Sequence, residues 1–489
     1  MTTNLHVEPF LERAAQIAAT IKKNLAAKAS FFVISHHDAD GISSASIIAA
    51  TLAREKAQFT ARIVEELTPE VLDSITPAHP DIVIFCDIGS GYLDLIKSKA
   101  PAKTIIILDH HPPSADDQLG DSILQLNPHD YKIDGARLIS AAGVCYLVAR
   151  EVSDKNKDLS SLGIVGALGD MQDKNEKRSL TGLNELLVQD GISSGSIQVD
   201  SDLVLYGRET RPIHRALAFT TTPYLPNLSG REDNCITLLS TNGIRLKEGD
   251  RFRTVSELTQ DEKKKLLDAI IGYLASINSQ TTVAMDLVGT VYTLTAEPPG
   301  GPTRDAREYS ALLNACGRTG NASIGLGVAL GDRKTALPQA NEVISNYRKT
   351  LANYMEWLTK SPDAIQKFET IWVVRGEDHI QDSMTGAFSS ILSSAGNLSQ
   401  DHAIIVLTRS REEGIKLSAR APPKLLKAGV NLGTALTELS KKYSGFGGGH
   451  NVAAGAHIKV DDPTEFLKEL DNTIQSQMKE ANDSRRDSI

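Results

Sequence analysis

The chain has 489 residues, 41% of them hydrophobic and 5% aromatic, which is too long for one ordinary core and suits two or three aliphatic-cored α/β domains. Its net charge of -9 excludes a global basic field for attracting nucleic acid, so local cations or metals must draw any anionic substrate. No apolar run is long enough to span a bilayer, Met1 to Phe10 lacks a signal pattern, and the four cysteines (Cys86, Cys145, Cys235, Cys316) form no C-x-x-C pair; we expect a cytosolic protein with reduced thiols.

Val7 to Lys28 reads as an amphipathic helix, with Phe10, Ala14, Ile17 and Ile21 at helical spacing. Phe31 to Ile34 is an apolar β-branched run that reads as a buried strand, and Ile42 to Arg54 reads as the helix after it. Between them lies His36-His37-Asp38-Ala39-Asp40-Gly41. A histidine and two aspartates at alternate positions past a strand end can enter one pocket, and carboxylates so close repel unless a cation lies between them. A metal site is the economical reading; the plainer one is a polar loop with Asp40 near the helix start.

Phe59 to Val64 reads as a further strand, and two more apolar strands end in chemistry: Asp81 to Asp87 ends in its own aspartate, and Thr104 to Leu108 runs into Asp109-His110-His111. Leu162 to Leu168, before Gly169-Asp170, reads as another strand of this kind. Four such runs separated by helical stretches predict a parallel sheet with helices on both faces, whose site lies at the carboxyl ends of the strands. Ser201 to Gly230 is mixed, with basic Arg208, Arg211, His214 and Arg215. Glu232 to about Ser279 reads as a charged insertion with a capping-box start at Thr259 to Glu262 and a helix over Lys263 to Leu274.

Pro338 to about Thr359 reads as one long helix linking domains, with Val343, Ile344, Tyr347, Leu351 and Tyr354 on one stripe. Beyond it, strands (Ile371 to Val374, Ala403 to Thr408) alternate with helices (Met384 to Ser394, Thr434 to Lys442), and the polar tail after Gln477 is expected to fray. The boundaries expected are an α/β domain over 1–335 with an insertion at about 232–280, a linker helix over 336–360, a smaller α/β domain over 361–482 and a frayed tail over 483–489.

The strand-end groups His36, Asp38, Asp40, Asp87, Asp109, His110, His111 and Asp170 mix carboxylates with imidazoles and contain no thiolate, which favours Mn²⁺ or Mg²⁺ over Zn²⁺ or Fe²⁺. They outnumber the ligands of one ion; two ions about 3.5–4 Å apart would use them, activating a water for in-line attack on a phosphate. Ser35 and Ser90 read as loop residues, since neither has an evident base. In the second half, Lys416, Ser418 and Arg420 share one face of a predicted strand, within a stretch from Arg409 to Lys427 holding six Lys/Arg against two Glu. A solvated face is the plainer reading. With Gly447-Gly448-Gly449-His450, whose backbone can approach a phosphate closely, the strand becomes a plausible phosphate-holding arm.

These motifs together resemble the DHH phosphoesterase superfamily, named for the run found here as Asp109-His110-His111. Lys416 to Arg420 and Gly448-Gly449-His450 with Ala453-Ala454-Gly455 resemble the associated DHHA1 domain, and Leu313-Asn314-Ala315-Cys316-Gly317-Arg318 is similar to a segment of the RecJ exonucleases, particularly the archaeal RecJ-like nucleases. The resemblance spans roughly residues 28–230 and 288–460 and leaves the insertion uncovered. It implies that His36, Asp38 and Asp87 bind one metal, and that Asp40, Asp87, His110 and Asp170 bind a second, with Asp87 bridging. It further implies that His111 and Arg318 contact the scissile phosphate and that Asp109 orients the histidines. Ser418, Arg420, Gly449 and His450 would hold the neighbouring phosphate. The activity implied is a two-metal single-strand exonuclease of DNA repair or replication, acting on DNA, RNA or both. The alternatives are an oligoribonuclease or cyclic-dinucleotide phosphodiesterase, and a replisome scaffold like the helicase subunit of this superfamily, with the helicase and its GINS partner as contacts.

Overall fold

The computed structural model describes residues 4–100, 102–113, 119–120, 122–220, 223–394, 398–399, 401–410 and 413–486. The chain divides into two compact units, one of Met1–Phe219 with Arg231–Ser345 and one of Thr220–Gly230 with Asn346–Ile489. Among the described residues no helix is long and apolar enough to cross a membrane.

The first unit is built on β1 (Ser30–His36), β2 (Gln58–Val64), β3 (Ile82–Cys86), β4 (Thr104–Leu108) and β5 (Ile123–Leu126). They form one all-parallel sheet in the order β2-β1-β3-β4-β5. The three central strands are apolar at nearly every position because both faces are covered. Phe32, Ile34, Val83, Phe85, Ile105 and Ile107 share one core with Leu72, Leu93 and Ile96. On the other side the helices Ala39–Arg54, Ala141–Val152 and Ser160–Gly169 pack on one another.

That last helix corrects the reading of Leu162 to Leu168 as a strand. A seven-residue apolar run cannot by periodicity alone be told from a buried helical segment. The glycines are the deciding residues: a Cβ on Gly166 would sit 2.4 Å from the Ala142 Cβ and 2.5 Å from Asp40 Oδ1, and one on Gly163 would sit 2.6 Å from Leu187. Two bare positions on successive turns let the helix press against its neighbours. Asp170 therefore caps a helix end and does not follow a strand.

Between the sheet and the long helix, β6 (Ile197–Leu203) pairs antiparallel with β9 (Val288–Leu294). The intervening chain holds a two-stranded ribbon, β7 (Lys247–Glu248) with β8 (Arg251–Phe252), and a helix Gln260–Ser276 started by a capping box of Thr259 and Glu262. The region is tied down by buried charge: Asp202 Oδ2 lies 2.6 Å from both Arg208 and Lys263. Nearby, Glu308 accepts the Glu209 N–H at 2.6 Å and the Thr210 hydroxyl. Burial, then the charges of Asp305 and Glu209, raise Glu308 from 4.5 to about 7. A carboxyl whose folded value lies above its unfolded one adds stability that is complete below the unfolded value and lost as pH rises through the folded value. The wild type should therefore lose up to about 3 kcal/mol between about pH 4.5 and 7 from this group, and Glu308→Gln should lose correspondingly less; urea unfolding across that range measures the difference.

The helix Ala336–Lys360 begins in the first unit and ends in the second, where Tyr354 and Leu358 join a core with Phe388, Ile404 and Val406. The second unit's sheet comprises β10 (Ile365–Lys367), β11 (Ile371–Arg375), β12 (Ala403–Arg409), β13 (Ile415–Arg420), β14 (Phe446–Gly449) and β15 (Ala453–Ile458). Its order is β10-β11-β12-β13-β15-β14, and only β11 and β12 run parallel. The expected fraying after Gln477 is not seen: a helix runs Thr464–Arg486, because Met478 packs on the core and Ala481 faces Gly429. Residues 487–489 lie outside the described residues.

Candidate metal centre

The ends of three neighbouring strands, β1, β3 and β4, the helix start after β1 and one helix end supply the groups. β1 stops at His36, and Asp38 caps the next helix by accepting the Gly41 N–H at 2.9 Å. Gly41 is required there, because a Cβ would fall 2.2 Å from the His36 carbonyl oxygen. After β3, Asp87 takes a left-handed conformation (φ 57°), uncommon for a side-chain-bearing residue, and its N–H donates to Leu108 O at 2.9 Å. After β4, Asp109 accepts N–H bonds from Ser90, His110 and His111 and a 2.8 Å bond from His111 Nδ1.

These buried and half-buried groups converge in two sets that share Asp87. His36 Nδ1 lies 3.2 Å from Asp38 and 3.5 Å from Asp87 Oδ2. His110 Nε2 lies 3.4 Å from Asp87 Oδ1, 3.7 Å from Asp40 and 3.3 Å from Asp170. Each oxygen of Asp87 thus faces a different set. His110 Nδ1 lies 2.8 Å from Gly135 O; a carbonyl only accepts, so Nδ1 holds a proton, and Nε2 is the nitrogen that faces the three carboxylates, where a second proton or a cation can sit. Asp40 accepts the Ala141 and Ala142 N–H groups at 2.8 and 3.0 Å, which fixes it at the start of the Ala141–Val152 helix.

The chain's own groups leave this cluster out of balance. Both oxygens of Asp87, His36 Nδ1 and His110 Nε2 are buried without a hydrogen-bond partner. Burial opposes charge on His110, but Asp170, Asp87 and Asp40 outweigh it and hold the imidazole well above its ordinary value; Asp38 and Asp87 do the same to His36. Burial, then Asp87 and Asp170, raise Asp40, and burial pushes Asp170 up to about 6. Protons are taken up where positive charge is missing. A hard divalent cation fits these donors, since it would replace the protons and meet the orphaned carboxylate oxygens and imidazole nitrogens. Asp109 behaves differently: burial works against its charge, but His111, His110 and the Ser90 N–H keep it well below the usual carboxylate range. It orients His111 as an ionised acceptor.

The helix Ala306–Arg318 abuts this loop. Asn314 Oδ1 accepts the Ala39 N–H at 3.0 Å, and a Cβ on Gly317 would fall 1.7 Å from the His37 carbonyl oxygen. Burial, then the charge of His36, depress His37 to about 4, and Arg318 is close enough to add to that effect. The structure also brings in groups that the sequence reading did not find. Gly135 O and the Ser90 N–H are backbone atoms with no residue signature. Asn127 bonds the His111 carbonyl and the Ser90 hydroxyl, both at 2.8 Å. Asn314 does lie within the Leu313 to Arg318 segment, which was the signal for it.

Six further candidates lie in the second unit. Lys416, Ser418 and Arg420 alternate along β13, Gly448 and Gly449 lie on β14, and the exposed His450 follows. Arg420 is held by Ser390 Oγ at 2.9 Å, Ser418 Oγ at 3.0 Å and Gly386 O at 3.1 Å, all on one face of the sheet.

A parallel sheet that gathers acids and imidazoles at one edge, followed by a second sheet with a glycine-rich edge strand, is the architecture of the DHH phosphoesterases. The chain belongs to the DHH family: the model for the DHH family N-terminal domain matches residues 30–167, that for the DHH-CID domain 205–288, and that for the DHHA1 domain 373–476. The DHH-CID match corrects the reading of 232–280 as an insertion outside the family. A relative, the uncharacterized protein MJ0831 of Methanocaldococcus jannaschii, is 34% identical over 452 residues, covering 91% of this chain and 94% of its own. Among solved structures, RecJ of Thermus thermophilus in complex with Mn²⁺ has a TM-score of 0.58 at 16% identity over 95% of this chain; the chain matches 55% of its length. Cdc45 of Entamoeba histolytica has a TM-score of 0.64 at 13% identity, covering 95% of this chain and 99% of its own. At these identities the likeness is one of fold, and that fold is RecJ-like.

Proposed function

We propose that this protein is a cytoplasmic metal-dependent exonuclease that hydrolyses phosphodiester bonds of single-stranded DNA or RNA to mononucleotides, in repair or replication. The observation that carries the reading is Asp87, whose two buried oxygens lack hydrogen-bond partners and each face a separate acid and imidazole set. Two divalent ions, Mn²⁺ first and Mg²⁺ as its substitute, would supply an activated water and a clamp on the phosphate. His36, Asp38 and Asp87 would hold one, and Asp40, Asp87, His110 and Asp170 the other. His111, steadied by Asp109, and Arg318 would position the scissile phosphate. Lys416, Ser418, Arg420, Gly448, Gly449 and His450 would hold the strand.

The fold likeness to Cdc45 favours a second reading, a replisome scaffold in contact with the helicase and its GINS partner. The complete set of acids and imidazoles supports the enzyme reading over it. End-labelled single-stranded DNA and RNA of graded length, incubated with Mn²⁺ and sized, separate the two. Stepwise release of mononucleotides from long strands is the expected result. Cleavage confined to dinucleotides selects a short-oligonucleotide phosphodiesterase, and inertness selects the scaffold. In the same assay Arg420→Ala should weaken strand binding about tenfold, as expected for a lost charge-assisted phosphate contact, and leave Mn²⁺ affinity unchanged by calorimetry. Equal loss of both would remove β13 from the substrate path.

A further inference from the structure

The pairing of β13, β15 and β14 sets three rows across one face of the second unit's sheet. The first row is Lys416, His457 and Phe446; the second is Ser418, Gly455 and Gly448; the third is Arg420 and Ala453. The opposite face of these strands, with Leu417, Ala419, Ala454 and Ala456, is buried in the core beneath the helices Leu432–Lys442 and Thr464–Arg486. On the row face the Thr385–Ser394 helix packs over β12 and β13, where Ser389 Oγ meets Ser418 Oγ at 3.1 Å.

At Gly455 and Gly448 this face is open. A Cβ on Gly455 would meet only Leu417 O, at 3.3 Å, and one on Gly448 only Thr437 Oγ1, at 3.9 Å. Packing among the described residues does not require glycine at Gly448, and at Gly455 a Cβ would press only on one carbonyl. At the rim, Phe446 is 56% exposed, and its ring lies 5.4 Å from the His457 ring at an interplanar angle of 38°. His457 is only 8% exposed, yet neither ring nitrogen has a hydrogen-bond partner. An exposed phenylalanine alone is ordinary. A buried imidazole with two unused nitrogens is not, because an unmet polar group costs stability unless a ligand meets it.

We propose that Phe446 and His457 form a nucleobase platform: an unpaired base of a single strand stacks on Phe446 and hydrogen-bonds His457, with its phosphate toward Ser418 and Arg420. Rows two residues apart on a strand are separated by roughly 7 Å, a span that one nucleotide covers. Aromatic faces accept any base, and neighbouring cations hold the backbone, so the platform grips strands without selecting their sequence. The cationic ends of the rows, Lys416 and Arg420, match the charge of a phosphodiester and not that of an apolar peptide. This proposal rests on the nucleic-acid reading above and adds to it the recognition of a base.

The test uses the full chain with chelator present, so that binding is read without cleavage. Fluorescence anisotropy compares a labelled short oligothymidylate with the same strand carrying one abasic site, moved through each position in turn. We expect one position where loss of the base weakens wild-type binding about tenfold, in keeping with the stacking energy of one base. Phe446→Ala should weaken binding of the intact strand by a similar factor and leave binding of that abasic strand unchanged. His457→Phe keeps the ring pair and removes both nitrogens, and should act in the same selective way. Equal weakening on intact and abasic strands, or none, overturns the platform. Wild-type protein that shows the pattern but cleaves nothing with Mn²⁺ ends the nuclease reading and leaves the platform standing. Cleavage with no base-sensitive position ends the platform alone.

Discussion

Asp87→Ala should abolish Mn²⁺-dependent hydrolysis, by at least about 10³-fold, while the protein still folds. A bridging ligand serves both halves of a two-metal site, so its loss removes several kcal/mol of transition-state stabilisation at once. Folding should survive because Asp87 makes no side-chain hydrogen bond, and its attraction to His36 and His110 is set against its repulsion of Asp40 and Asp170. The left-handed backbone at this position suits aspartate and asparagine better than alanine, so Asp87→Asn is the cleaner companion variant. In the absence of metal, Asp87→Asn should unfold close to the wild-type temperature, because the lost repulsion of Asp40 and Asp170 offsets the lost attraction to His36 and His110. With Mn²⁺ added, the wild type should gain thermal stability and the variant should not. Initial rates on single-stranded substrate and thermal midpoints with and without Mn²⁺ check both statements. Turnover within tenfold of wild type would defeat the bridging assignment.

The sequence showed the sheet wherever a strand was both apolar and punctuated. β1, β3 and β4 are β-branched runs that stop at His36, Asp87 and Asp109, and a run ending in chemistry announces its own boundary. Where punctuation or length failed, so did the reading. Leu162 to Leu168 offered no period, and the helix is decided by close approach at Gly163 and Gly166, a tertiary fact. Strand β5 is four residues long and gives too little pattern to separate from a loop. The end of the chain looked polar enough to fray, but two small contacts, Met478 on the core and Ala481 on Gly429, hold it helical. At the candidate site the ionisable groups were legible because their types are rare together. The atoms that orient them were not: Gly135 O fixes the His110 tautomer and the Ser90 N–H holds Asp109, and backbone atoms leave no trace in a sequence.

The same distinction gives a test with an unexpected sign. Alanine normally favours a helix over glycine by about 1 kcal/mol. Gly272, within the Gln260–Ser276 helix, has open space where a Cβ would go, so Gly272→Ala should stabilise the protein by about that amount and leave turnover unchanged. Gly317 also lies within a helix, Ala306–Arg318, but there the new Cβ would fall 1.7 Å from the His37 carbonyl oxygen. Backbone cannot yield as a flexible side chain can. The helix must move off the loop that carries His36 and Asp38, straining the Asn314 bond to the Ala39 N–H and displacing Arg318. Gly317→Ala should therefore destabilise by roughly 1–3 kcal/mol, the usual cost of overpacking. It should also cut turnover by about 10²-fold, the cost of misplacing a catalytic group by about 1 Å. Urea unfolding and initial rates on the two alanine variants measure both effects. If Gly317→Ala were as stable and active as Gly272→Ala, the helix would not be what holds the histidine loop in place.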